Sequence, residues 1–443
     1  MSQDSNSNHE TQDTVKVSPV NRVRGELRFP GDKSISHRAA MISSLAEGVS
    51  TLKNFSSAQD CAATLACLAA LGVKLERNAD TVVIEGAGVT GLVQPQGMLD
   101  AQNSGTTMRL LAGILAGQSF AGTITGDSSL RARPMLRVAE PLRLMGAAVE
   151  TQANGCAPIR IQGRRPLQAI HYRLPIASAQ IKSALLLAGL AANGITTVVE
   201  PATTRDHTER MLPAFGGSIA KQGNVCSVAG GQNLHSCDLS IPGDISSAAF
   251  FVAAAVALPG SNLTVREVGL NPTRNAFLTV LRNLGADITI TNEQLVGGEP
   301  TGTLQVRHVE LDKRATLEIS GALVSNLIDE LPLLAFLAAS LGCGMNLRDA
   351  KELRVKESDR IAATVANLAR MGARIEERSD GWQLQGGDKL RGARLDAFGD
   401  HRIAMAGAVA ALCADGPSEI AGARNAVAVS LPEFWELLAA VTD

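Results

Sequence analysis

One pattern limits what this chain can fold into. A leucine, three residues and a glycine, followed by an alternating apolar strand, recurs five times, as in LAALGVKLE and LRNLGADITI. The glycines are Gly72, Gly146, Gly216, Gly285 and Gly372. A sixth helix, FWELLAAV, stands near the end of the sequence, where the next copy would fall. Each unit opens on a helix of small residues that also ends in glycine, such as NSGTTMRLLAGILAG or GDHRIAMAGAVAALCADG. A short strand follows, then an amphipathic helix closed by the repeated glycine as by a C-cap, then a hairpin-like pair. The unit therefore reads helix–strand–helix–strand–strand, about six times over. A length of 443 residues exceeds the ~250–300 at which single cores stop growing, so two domains of three units each are expected. The seam falls near Pro242: residues 31–241 form one domain, and 17–30 with 242–443 form the other. The strand Arg22–Phe29 then pairs back into that second domain, because an orphan strand needs an edge. Residues 1–16 are polar, with no apolar h-region, and read as a disordered tail.

The small-residue helices admit close packing and should be central, yet their N-terminal turns are polar. Lys33, Ser34 and Arg38 stand in one such turn; Asn103, Gly105 and Thr106 in another; Ser178 and Gln180 in a third. Asp244, Asp329, Asp400 and Arg402 mark the others. Helix N-termini offer free N–H groups and a positive dipole end, and several together make an anion site. Taken singly, the Ser and Asp positions also read as N-caps. Lys and Arg in the same turns go beyond capping, because cations disfavour a helix start and call for an anionic partner.

Composition removes other classes. The chain has 41 Lys and Arg against 43 Asp and Glu, a net charge of −2, and only 3% aromatic residues. Nucleic-acid binding by stacking or by a basic sheath is excluded. No apolar run reaches 18 residues, so no membrane span is expected. Seven scattered cysteines without a CxxC pair suit reduced thiols and a cytoplasmic protein. The histidines lack HxxxH or HExxH spacing, and no metal or other cofactor is indicated. The GxGxxG at Gly86–Gly91 is followed by Pro95 rather than a helix, and reads as a hairpin turn, not a dinucleotide loop.

Five clusters mix cations with carboxylates on turns: residues 32–38, 131–137, 204–209, 354–360 and 400–402. Arg and Lys clamp phosphate and carboxylate groups, and neighbouring carboxylates move protons. One such cluster reads as solvated ion pairs. Five at equivalent ends of a repeat describe a site, with positive potential focused there in a near-neutral chain.

In these residues the chain resembles the 5-enolpyruvylshikimate-3-phosphate (EPSP) synthase family over roughly residues 17 to 443. The motifs that carry the resemblance are PGDKSISHR (30–38), NSGTTMR (103–109), RPMLR (133–137), SAQIK (178–182), RDHTE (205–209), NPTR (271–274), IDE (328–330), ELRVKESDR (352–360) and DHR (400–402). Several of them are similar to the second sequence class of that family, whose members are often insensitive to glyphosate. The resemblance implies an α/β fold of six βαβαββ units, three per domain, an inside-out α/β barrel. It implies an active site in a cleft between the domains, which closes on the substrates. The implied reaction moves the enolpyruvyl group of phosphoenolpyruvate (PEP) to the 5-hydroxyl of shikimate 3-phosphate and releases phosphate, without a cofactor. A monomer is the family expectation.

Carried over by motif, Ser34, Arg38, Ser178, Ala179, Gln180, Arg205, Asp329 and Lys356 would hold shikimate 3-phosphate. Asn103, Gly105, Arg133, Gln180, Arg360 and Arg402 would hold PEP. Lys33 would touch both substrates, Asp329 would take the proton of the 5-hydroxyl, and Glu357 with Lys33 would handle the proton at the PEP methylene. Two positions depart from relatives. Val429 stands three residues before Pro432, where many relatives carry a lysine that reaches PEP. Gly105 is retained where some glyphosate-insensitive relatives have alanine. The rival readings are a UDP-N-acetylglucosamine enolpyruvyl transferase, an RNA 3′-phosphate cyclase-like protein and an inactive repeat scaffold. The first resembles a Lys-Asn pair and uses a loop cysteine, whereas this chain has Lys33-Ser34 and no cysteine from Gly126 to Arg137.

Overall fold

Each repeated glycine does what its place in the pattern demands. Gly72, Gly146, Gly216, Gly285 and Gly372 all have positive φ, between 76° and 98°, which a side chain would resist. In the computed structural model, which describes residues 13–312 and 314–442, the chain divides into two units. Of the described residues, one unit comprises Pro30–Pro242 with Leu295–Pro300; the other holds 13–29, Gly243–Gln294 and those from Thr301 to Thr442.

The unit built on residues 30–242 contains three four-stranded sheets. Their orders are Leu239–Ser240, Glu47–Lys53, Thr81–Ala87, Lys74–Asn78; then Leu99–Asp100, Ala121–Thr125, Ile159–Gln162, Ala148–Glu150; then His171–Arg173, Ile195–Val199, Val225–Ala229, Ile219–Gln222. In each, the first pair is parallel and the other two are antiparallel. Helices α1 (Lys33–Leu45), α2 (Gln59–Ala70), α3 (Gly105–Ala116), α4 (Ala179–Gly189) and the short α5 (His207–Met211) belong to this unit. Small residues let α3 and α4 meet: a Cβ on Gly113 would lie 2.1 Å from the Ala184 carbonyl oxygen. The Gly86–Gly91 segment leaves its strand into a turn with no helix after it.

The other unit carries α6 (Ile245–Ala257), α7 (Leu331–Leu341), α8 (Arg360–Arg370) and α9 (His401–Cys413). Among the described residues it has two four-stranded sheets and a third of only three strands, Val15–Val17, Ser418–Ala421 and Arg394–Asp396, so the sixth copy lacks its closing hairpin. Arg24–Arg28 pairs in parallel with Asn262–Arg266, giving the orphan strand its edge. The tail reading needs correction at its end. Val15–Val17 is a strand antiparallel to Ser418–Ile420, with Val15 and Val17 buried and Lys16 exposed. Burial of two valines on one face outweighs the polarity of the flanking residues. The rest of the expected tail, residues 1–12, lies outside the described residues. Among the described residues, no helix is long and apolar enough to cross a membrane.

Candidate active site

The polar helix starts are caps and more than caps. Asp32 accepts from the Ile35 N–H at 3.0 Å, Ser104 from Thr107 at 3.1 Å and Ser178 from Ile181 at 3.4 Å. Asp244 accepts from Ser246 at 2.8 Å, Asp359 from Ile361 and Ala362, and Asp400 from Arg402 at 2.9 Å. Each cap satisfies a donor that the helix leaves open and fixes the turn that carries the cations.

In the 30–242 unit, Lys33 opens α1 and pairs with Asp60 of α2, Nζ to Oδ2 at 3.0 Å, both side chains largely buried. Arg38, one turn on, is buried and spans three elements. Its Nη1 donates to the Ser34 carbonyl, Nε to Thr208 Oγ1 and Nη2 to Ser183 Oγ, each at 2.9 Å. Arg38 thus fastens α1 to α4 and α5, a positioning task beyond the substrate contact implied for it. Gln180 is bound on both sides of its amide, accepting from Arg109 Nη1 at 2.8 Å and donating to Thr106 Oγ1 at 2.9 Å. Asn103 accepts from Arg133 Nη2 at 2.9 Å and donates to Asp127 at 2.7 Å. Gly105 leaves room for guanidinium groups: a Cβ there would lie 2.6 Å from Arg109 Nη1 and 3.3 Å from Arg133 Nη1. Lys33, Ser34, Arg38, Asn103, Gly105, Arg133, Ser178, Ala179, Gln180 and Arg205 all belong to this unit.

In the second unit, Arg360 is the hub. Its Nε donates to Asp400 Oδ2 at 2.7 Å, Nη2 to Glu357 Oε2 at 2.6 Å, and Nη1 to Asp329 Oδ1 at 3.3 Å. Burial opposes its charge, but Asp400 and Glu357 hold the pKa above that of an ordinary arginine. Arg402 donates through Nη1 to Ser246 Oγ at 2.8 Å and to the Asp329 carbonyl at 2.9 Å, and its Nη2 lies 3.7 Å from Asp329 Oδ2. The carboxylates of Asp329 and Glu357 are therefore brought to one guanidinium. Burial pushes the Lys356 ammonium below the usual lysine value, with Asp329 acting in the opposite direction.

Asp60, Arg109, Ser246 and Glu330 are polar partners that the sequence reading did not single out. Arg109 lies within a quoted motif, NSGTTMR, and Glu330 within IDE. Asp60 had only its place in the first turn of α2 as a signal. Among the described residues no disulfide forms, and burial pushes the thiols of Cys67, Cys226 and Cys413 up to about 12, which disfavours thiolate chemistry there.

A family model described as EPSP synthase (3-phosphoshikimate 1-carboxyvinyltransferase) matches residues 17–438. This chain belongs to the EPSP synthase family. A 3-phosphoshikimate 1-carboxyvinyltransferase of Desulforudis audaxviator is 50% identical over 427 residues, covering 96% of this chain and 98% of the relative. One from Shouchella clausii is 48% identical over 417 residues, covering 94% and 96%. The solved EPSP synthase of Acinetobacter baumannii superposes with a TM-score of 0.85 at 41% identity, covering 97% and 98%. The enolpyruvyl transferase NikO of Streptomyces tendae, 17% identical with a TM-score of 0.75 over 97% of each chain, shares the fold. EPSP synthase family membership accounts for the two-unit α/β architecture and for the ordered motifs that supply both clusters of charged residues.

Proposed function

We propose that the chain transfers the enolpyruvyl group of PEP to the 5-hydroxyl of shikimate 3-phosphate and releases inorganic phosphate. The observation that carries the reading is the Arg360 constellation, a buried cation with Asp329 and Glu357 on separate nitrogens. An enolpyruvyl transfer needs an anion clamp with acid and base groups beside it. Asp329 takes the proton of the 5-hydroxyl as that oxygen bonds to C2 of PEP, while Lys33 and Glu357 deliver a proton to C3. A tetrahedral adduct results. Phosphate then leaves C2, C3 gives up a proton to the same groups, and the double bond is restored.

Arg133, Arg360 and Arg402 clamp PEP, assisted by Asn103, Gly105 and Gln180. Ser34, Arg38, Ser178, Ala179, Gln180, Arg205 and Lys356 hold the shikimate ester. Holding two anions in reacting geometry converts a bimolecular step into an effectively unimolecular one. Thiols outside disulfides suit a reducing compartment, and the reading takes the cytoplasm as the place of work.

The test is phosphate release from PEP with and without shikimate 3-phosphate, in buffer containing EDTA. Release that requires the ester and ignores the chelator is expected. Release with UDP-N-acetylglucosamine instead would keep the fold and overturn the substrate assignment. Silence with both acceptors would overturn the reaction itself.

A further inference from the structure

Lys182 lies on α4, one turn after the Ser178 cap, and its side chain has no exposure. Its Nζ stands 2.9 Å from Glu200 Oε2 and 2.7 Å from Glu209 Oε1. Glu200 follows the strand Ile195–Val199, and Glu209 is on α5. The segment between these two carboxylates carries Arg205. One ammonium therefore ties down both ends of that segment and fastens it to the helix whose first turn holds Ser178, Ala179 and Gln180.

Surrounding bonds tighten the same joint. Thr204, next to Arg205, donates its hydroxyl to the other oxygen of Glu200. Asp206, on the other side, is bound by Arg210 at 2.8 Å and Lys221 at 3.0 Å. Thr208 and Glu209 are consecutive on α5: the first accepts from Arg38 and the second from Lys182. Glu200, Glu209 and Cys226 also lie close enough together to suggest a cation site, but the Lys182 ammonium already sits on both carboxylates. Burial opposes the charge on Lys182, yet Glu209 and Glu200 more than compensate and hold its pKa above the ordinary lysine value.

We propose that Lys182 is a positioning residue for the shikimate 3-phosphate half of the site, setting Arg205 against Ser178 and Gln180 without touching substrate. The inference rests on the function proposed above. A structural filler would affect folding alone; a positioning residue affects the affinity for one substrate.

The test compares the parent with K182M/E200Q/E209Q, which removes the clamp without leaving a buried unpaired charge, and with E209Q, which keeps Lys182 on Glu200 and reduces the second tether from an ion pair to a neutral hydrogen bond. Melting curves establish that each variant folds. The triple variant is expected to raise KM for shikimate 3-phosphate about tenfold, with KM for PEP and kcat within about twofold. E209Q is expected to raise the same KM about threefold. A folded variant of either kind with unchanged KM for the ester overturns the inference alone, as does an equal rise in both KM values. A parent that releases no phosphate from the substrate pair overturns the functional reading and this inference together.

Discussion

At the scale of single residues, the charged positions divide into those the sequence announced and those it could not. Arg360, Arg402 and Lys33 stand in motifs rich in charge, and Glu357, Asp400 and Asp329, partners of the two arginines, stand in motifs too. Asp60 was invisible because it pairs with Lys33 across 27 residues, and nothing local marks a lone aspartate in a first helical turn as a partner for a distant lysine. Asp329 is the residue on which the proposed chemistry turns. Asp329→Asn preserves shape and removes the base, so kcat is expected to fall about 10²–10⁴-fold while the melting temperature holds. Near-normal turnover by the purified variant would remove Asp329 from the role of base. Gly105→Ala makes a different prediction. The added methyl meets the far ends of Arg109 and Arg133, flexible groups that can move, so the variant folds. Moving Arg133, proposed above as part of the PEP clamp, should raise KM for PEP about tenfold and leave KM for the ester nearly unchanged. An unchanged KM for PEP would show that the guanidinium groups near Gly105 do not grip that substrate.

At the scale of elements, the legible features were those set by backbone chemistry. The repeated glycines end helices because only a residue without Cβ takes their positive φ cheaply. The Ser and Asp helix starts are caps because four N–H groups there have no helical acceptor. Less legible was how the helices lock together, since that depends on hydroxyl and imidazole contacts between distant segments. His37 of α1 is the example. Its Nδ1 meets Thr64 of α2 at 2.7 Å, and Thr64 meets Thr107 of α3 at 2.6 Å, so one polar chain crosses three helices. Burial, with Lys33 and Arg38 nearby, holds the His37 pKa well below the ordinary value. The folded state therefore refuses a proton that the unfolded chain accepts below about pH 6.5. Stability from this group is fully present above that pH and falls on acidification by about 1.4 kcal/mol per pH unit, until the depressed folded pKa is reached. His37→Gln keeps a polar partner for Thr64 without the titration. Denaturant melts between pH 8 and pH 5 should show a shallower loss for the variant than for the parent. Parallel slopes would mean that His37 is protonated in the folded protein.

For the whole molecule, the six-fold period made the division into two units readable before any contact was known, because 443 residues exceed what one core holds and six copies divide evenly between two. What the period could not announce is the hairpin tip Leu295–Pro300, which groups with the unit built on residues 30–242 although its strands belong to the other. Its anchor is chemical rather than periodic: Glu299 Oε1 meets His207 Nδ1 at 2.8 Å, a pairing that spans 92 residues. Whole-molecule charge leads to the last prediction. With 41 cationic and 43 anionic side chains the net charge is −2, so the long-range field offers anionic substrates little attraction. The attraction must come from the partly buried cations of the two clusters, acting over a few ångströms, well inside the ~10 Å Debye length at 0.1 M salt. Raising KCl from 0.05 to 0.5 M should therefore lower kcat/KM for either substrate by only about two- to fivefold. A chain that captured its substrates through a global field would lose far more over that range, as electrostatically steered associations do. A steep dependence measured here would move the source of the attraction from the helix starts to the protein surface at large.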